Sequence, residues 1–554
     1  GKAGDGIHSD NTLNISGGEI QKTVGGTATG TGGTGGASIR SGGSLTISGR
    51  AFIQNAKGGD SNAGTGGNGI YSGGTLTIKD RSKIEKAQGG SGKTTGGAGI
   101  YSNGGLSIEG GTIGKWKTDR DGKFIYDSKN KIPDTDTGAL GGTAEAGAKG
   151  GDGIHSDGKI DITGGEIVNA KGGEGKASGS SSYVSHGIYS GDALTIKNDA
   201  KIGNAQGGDG KNYGGAGIYS IRDLNISGKA FIQNAKGGDS GKVGNSEKRG
   251  GVGICSAGAL TISDEAKIGK AQGGDGGGGT GGTGIFSSGK LTVSKKAAIN
   301  NATGGSGIHG GTGILGSTTM EIAGTIKEAF GGKATGKGIG GSGILSTGDI
   351  IISDKAKINN AKGGDSTDGN GGDGIHSTGK LTISGLAFID KATGGNSKSG
   401  GKGGSGILSN GDIDISQSAK INNATGGDSA DGTGTGGDGI HSDGKFTIFK
   451  SPSGDAWPNT IGTAQGGNGK SGGKGIFGKT VEIAVGIINQ ARGGNSTGTS
   501  KDDTGGAGIS ASENLTISGN GWIEHATGGS AKDGKAGDGI HSDNTLNISG
   551  GRID

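Results

Sequence analysis

Apolar residues in this chain recur as a short, rigid figure. A G-I-x-S tetrad carries its Ile at 7, 39, 70, 100, 154, 188, 218, 254, 285, 314, 344, 375, 407, 440, 476, 509 and 540, with the Gly or Ser relaxed in a few copies. The first apolar residue of the next segment, from Leu13 and Leu45 onward to Leu546, follows six positions later in sixteen of these seventeen units and five later after Ile476. It opens an L-T-I-S segment, as at Leu45 to Ser48 and Leu381 to Ser384. Period-two alternation puts Leu and Ile on one face and Thr and Ser on the other, which predicts a strand with one buried side. A third segment, I-x-x-A, completes the unit at Ile53 to Ala56, Ile84 to Ala87 and Ile421 to Ala424.

Turn-forming S-D-G, S-G-G and S-N-G strings separate the segments and predict corners at fixed places. Only the return to the next tetrad varies: 14 residues from Ala56 to Ile70, 19 from Ala235 to Ile254, 12 from Ala302 to Ile314. One unit holds about four large aliphatics, too few to offset the entropy of ordering about 31 residues, so units must stack. The expected fold is all-β: a parallel β-solenoid of about 17 coils of about 31 residues, three short strands per coil plus a Gly-rich return loop, continuous over 1–554.

Composition sharpens this picture. Gly contributes 143 of 554 residues, against a usual share of roughly 7%. Three Pro exclude collagen, and a disordered Gly-rich chain would have no reason to hold Ile and Leu in register. A net charge of +4 is too weak to imply nucleic acid, no apolar run predicts membrane insertion of this segment, and Cys255 is the single cysteine. Residues 1–18 recur without a change at 534–551, an offset of 533, which leads us to expect an excerpt of a longer array or head-to-tail polymerisation.

Four features carry candidate chemistry. The residue between the tetrad Ile and Ser is often a ring: His8, Tyr71, Tyr101, His155, Tyr189, Tyr219, Phe286, His376, His441, Phe477 and His541. Alternation turns this position outward, giving a column for lateral assembly or glycan stacking, unless the return loops fold over it as a second small core. Asp60, Asp209, Asp239, Asp275, Asp365 and Asp428 form an acidic row after the third segment, where calcium or neighbouring Lys57, Lys236 and Lys362 would relieve repulsion. D-G-I-H-S-D, as at Asp152 to Asp157, offers a transition metal one His and two carboxylates; the plainer expectation is that the second Asp caps a turn. Two excursions, 115–147 and 449–460, hold all three prolines together with Trp116, Phe124, Tyr126 and Trp457, exposed aromatics suited to binding.

No constellation for catalysis stands out, so the chain is expected not to be an enzyme, with a β-solenoid polysaccharide lyase as the enzymatic alternative. Ice binding needs a regular Thr face, which Asp161, Glu321, Asp414 and Glu482 interrupt.

The G-G-x-G-I-x-S-x-G-x-L-T-I-S pattern with its trailing I-x-x-A-x-G-G resembles the Gly-rich repeats of bacterial β-helical surface proteins. Autotransporter-adhesin passengers share the alternation of Gly-rich loops with L-T-I strands, and the stretch from Asp5 to Gly18 resembles carbohydrate-binding β-helix modules. The resemblance implies an extracellular, cell-surface or biofilm location. The resulting expectation is a structural fibre, stalk or adhesin that self-associates into filaments or bundles. The alternative is a module docking extracellular polysaccharide, assisted by calcium; no cofactor is required for the fibre.

Overall fold

The computed structural model describes residues 1–127, 130–146, 149–176, 184–241, 248–430, 433–449 and 459–554. Among them there is no helix, and every strand ladder but one hairpin runs parallel. The chain divides into two compact units, Gly1–Ser287 and Ser288–Asp554, and each is a parallel β-solenoid of stacked coils.

In unit 1 the tetrad Ile residues pair in unbroken register, Ile7 on Ile39, Ile39 on Ile70, Ile70 on Ile100, Ile100 on Ile154 and Ile154 on Ile188. The second strands stack Leu45, Leu76 and Leu106, and the third strands stack Ile53, Ile84 and Ile113. These aliphatics converge on a narrow dry core in which Ile39, Leu45, Ile47 and Ile53 are all 0% exposed. Unit 2 repeats the scheme, with Ile344 on Ile375, Ile350 on Leu381 and Ile358 on Ile389. The turn between second and third strands takes a left-handed residue, Gly49 (φ 61°), Asp80 (62°) or Asn198 (59°), the three types that tolerate that conformation best. The tetrad Ser is buried and spans coils: Ser102 donates to Gly74 O at 3.0 Å and Ser156 to Gly104 O at 2.8 Å.

The Gly-rich return is not a loose loop. Most coils carry one Gly pair leaving the third strand and another entering the next first strand, and the two pairs zip together; before Ile188 the entering pair is Val184 and Ser185, and Ser185 O accepts the Gly208 N–H at 2.9 Å. The N–H of Gly36 bonds Gly26 O (2.9 Å), Gly59 bonds Gly36 (2.8 Å), Gly67 bonds Gly59 (2.8 Å), Gly90 bonds Gly67 (2.8 Å) and Gly97 bonds Gly90 (2.9 Å). The same zigzag runs through Gly311, Gly332, Gly341, Gly364 and Gly372 in unit 2. Backbone approaches so closely that a Cβ built on Gly59 would sit 1.9 Å from Gly26 O, and one on Gly97 2.0 Å from Gly67 O. One edge of each coil therefore closes by backbone alone, without a side-chain core.

The first excursion is shorter than expected. It leaves the ladder inside the third strand, after Ile113, and the ladder resumes where Ala139 pairs with Ala87, so the extra chain is 114–137 and the segment after Leu140 is an ordinary return. Of the expected excursion at 449–460, residues 450–458, with Trp457, lie outside the described residues.

Candidate functional site

The first strand presents its middle residue outward, and in unit 1 parallel register turns that column into a stack. Arg40 caps it, 4.4 Å from the Tyr71 centroid. Below follow Tyr71 to Tyr101 at 5.5 Å, Tyr101 to His155 at 4.7 Å, His155 to Tyr189 at 4.5 Å and Tyr189 to Tyr219 at 5.8 Å, with interplanar angles of 12°, 5°, 15° and 2°. His8 pairs with Arg40 above the stack; Cys255 and Phe286 continue the column beyond Tyr219. In unit 2, Leu345, His376, Leu408, His441, Phe477, Ser510 and His541 occupy the same column, and only His441 and Phe477 make a ring contact, at 4.7 Å and tilted by 38°. Within the unit 1 stack, ring faces are covered by neighbouring rings and the edges face outward. Sugar stacking on the faces of Tyr71, Tyr101, His155 and Tyr189, one of the alternatives for this column, would compete with these ring–ring contacts. The returns flank most of the rings, and one of them lays His186 against Tyr189 and Tyr219.

Every D-G-I-H-S-D histidine is held on both nitrogens. His155 Nδ1 is 2.6 Å from Asp152 and Nε2 2.9 Å from Asp157; the corresponding distances are 2.8 and 2.9 Å at His8, 2.5 and 2.9 Å at His441, and 2.8 and 2.7 Å at His541. Asp157 also accepts the Tyr101 hydroxyl at 2.6 Å. The second Asp thus serves the ring, not the turn that the sequence suggested. Burial opposes charge on His155 and His441, yet the carboxylates override it and hold both above the usual imidazole range. Burial likewise opposes ionisation of Asp152, but the His155 bond and Lys149 bring it down to about 2. Among the described residues, no group of three or more His, Cys, Asp or Glu is arranged to hold a metal.

One buried histidine escaped sequence reasoning. His186, two residues before Ile188, stacks 4.9 Å from Tyr219, and its Nδ1 accepts the Ala216 N–H at 3.0 Å. Burial depresses it to about 4, so the ring is neutral. Its position holds Asp5, Asn68 and Asp152 in other coils, each accepting a backbone N–H of the next coil, at Ala37, Ala98 and His186. That shared acceptor was the available signal.

The acidic row is a second such ladder. Asp60 Oδ1 accepts Ser91 N–H at 2.8 Å, Asp209 accepts Asp239 at 2.7 Å, and Asp239 accepts Asp275 at 2.8 Å. In unit 2, Asp365 accepts Asn396 at 2.9 Å, Asn396 accepts Asp428 at 2.8 Å, and Asp428 accepts Asn468 at 2.7 Å. Asp and Asn interchange because both offer the same oxygen. Lys57 and Lys236 pair with Asp60 and Asp239 at 3.2 and 3.6 Å.

A groove runs beside the rings. In unit 1 one wall is Arg40, Tyr71, Tyr101 and His155, the other Thr34, Thr65, Thr95 and Lys149, and the floor is the Gly zipper, enclosing ≈ 330 Å³. Comparable clefts of ≈ 470 and ≈ 620 Å³ flank His441 and His376 in unit 2. On the third-strand face, the excursion folds back as an antiparallel hairpin: Gln233 Nε2 donates to Lys131 O at 2.8 Å, and the Trp116 ring lies against Gly203. Phe124 (45% exposed) and Tyr126 (53%) face solvent, with Lys131 Nζ 3.6 Å over the Phe124 ring.

No protein-family model, curated protein or solved structure matches the chain. Fold and surface define a β-solenoid repeat protein whose exposed chemistry is arranged in axial columns.

Proposed function

We propose that the chain is a structural element of an extracellular fibre, stalk or adhesin on a bacterial surface, acting through self-association or adhesion. The supporting observation is the Gly zipper, which uses the commonest residue to close and stack coils and keeps the strand surface positions in register from coil to coil. Such a scaffold multiplies weak lateral contacts along columns. Electron microscopy of the purified chain, paired with glycan-array binding, tests it: filaments or bundles without glycan signal support the fibre, and dispersed particles refute it.

A second reading, polysaccharide docking, is favoured by the unit 1 groove, whose walls combine hydroxyls, Arg40 and Lys149. Array binding lost on Tyr71→Ala or Trp116→Ala supports this reading. Calcium on the acidic row would accompany it, using carboxylate oxygens beyond those committed to the ladder.

A further inference from the structure

Tyrosine is scarce, seven residues in 554, yet four of the seven stand in two register pairs. Tyr71 is directly opposite Tyr101 in adjacent first strands, and Tyr189 is opposite Tyr219. Their rings are near-parallel, with centroids 5.5 and 5.8 Å apart, and all four are partly exposed. The ladder fixes both backbones, so each phenol meets its partner at an effective concentration no dissolved tyrosine matches. Asp157 accepts the Tyr101 hydroxyl at 2.6 Å and so places a proton acceptor on one member of the first pair.

From this geometry we propose that unit 1 is a site of oxidative tyrosine cross-linking, in which a peroxidase with hydrogen peroxide joins Tyr71 to Tyr101 and Tyr189 to Tyr219 as dityrosines that rivet successive coils. Each phenol gives one electron to the oxidant and loses its hydroxyl proton, that of Tyr101 to the Asp157 carboxylate and the others to water. The two neighbouring radicals form one carbon–carbon bond between ortho positions. The two ring hydrogens there move to the oxygens and restore both phenols. Each cross-link thus releases two electrons and two protons, which convert one hydrogen peroxide to two waters. His155 separates the pairs, 4.7 Å from Tyr101 and 4.5 Å from Tyr189, and carries no phenol to couple, so two separate bonds form instead of one run.

Treating the full chain with peroxidase and hydrogen peroxide at low micromolar concentration, then measuring dityrosine fluorescence and mapping cross-linked peptides, tests the proposal. Two intrachain products are expected, with a yield per chain that does not fall on dilution. Tyr71→Phe should lose the first product and keep the second, which also reports that unit 1 remains folded. The Tyr101→Phe, Tyr189→Phe double variant should lose nearly all the fluorescence although five tyrosines remain, Tyr126 among them at 53% exposed. Fluorescence retained in the double variant, cross-links mapped to other tyrosines, a yield that falls on dilution, or no dityrosine from the unaltered chain would each overturn it.

Discussion

The imidazole of His155 sits 2.6 Å from one oxygen of Asp152, while the other oxygen of that carboxylate accepts the His186 backbone N–H of the next coil. One buried side chain therefore couples the charge of the ring column to the stacking of coils, and its two histidine neighbours respond to pH in opposite senses.

Asp152 is held down at about 2, so its contribution is complete above the ordinary 3.8 and is lost as pH falls through 2. His155 is raised above 6.5, so its contribution is complete below 6.5 and is lost as pH rises through the folded value. His186 is depressed to about 4; its contribution is present above 6.5 and fades as pH falls toward 4. Thermal unfolding against pH should show Asp152→Asn, which keeps the acceptor oxygen, lowering Tm more at pH 5 than at pH 9. His186→Asn, which supplies the oxygen Asn68 uses, should flatten the decline of Tm between pH 6 and pH 4. Equal losses at all pH values would contradict both assignments.

The Gly zipper predicts a sharp contrast between glycines. Gly97→Ala would drive a methyl to 2.0 Å from the Gly67 carbonyl oxygen, backbone against backbone, and should cost about 1–3 kcal/mol or more. Gly30 has nothing within 4 Å of its built Cβ, and Gly30→Ala should leave stability unchanged or raise it by up to about 1 kcal/mol. Paired denaturation curves check the difference.

The strands and core were legible because aliphatic alternation is a local signal. Ile39, Leu45, Ile47 and Ile53 announce their burial by spacing alone. The zipper was not, since Gly59 and Gly97 are dictated by carbonyls of other coils, and in one dimension they read as composition. The register of the ring column follows from strand alternation, but its consequence depends on stacking: faces that a single exposed Tyr would offer are consumed by the next ring. Asp60 and Asp365 drew attention as charges, whereas the substitution of Asn at 396, 468 and 495 pointed to an oxygen acceptor. The 114–137 excursion was misplaced because Ala139, the residue that resumes the third strand, lacks a nearby Ile to mark it.

On that basis the acidic row should be insensitive to charge. Asp365→Asn keeps Oδ1 for the Asn396 N–H and should shift stability by less than about 0.5 kcal/mol. Asp365→Ala removes the acceptor and should cost roughly 1 kcal/mol. Calcium addition separates the two uses of the row: a rise in Tm that Asp365→Asn removes assigns an ion to it, and no rise leaves the ladder alone.

The hairpin makes the last prediction. Trp116 rests on Gly203, where an added Cβ would lie 2.6 Å from the Val168 carbonyl oxygen of the preceding coil and 2.7 Å from the indole Cη2. The glycine thus serves twice, against the Val168 backbone and as a seat for the indole, while Ile202 and Ala205 stay in register with Ile167 and Ala170. Trp116→Ala removes the indole without touching that backbone contact. Limited proteolysis within 114–137 should accelerate severalfold, and the β-sheet circular dichroism of the chain should be unchanged. Gly203→Val should be cleaved at least as fast, because it displaces the indole and also presses on the Val168 carbonyl. Cleavage unaltered in both variants would show that the bond from Gln233 to Lys131 O holds the hairpin without the tryptophan.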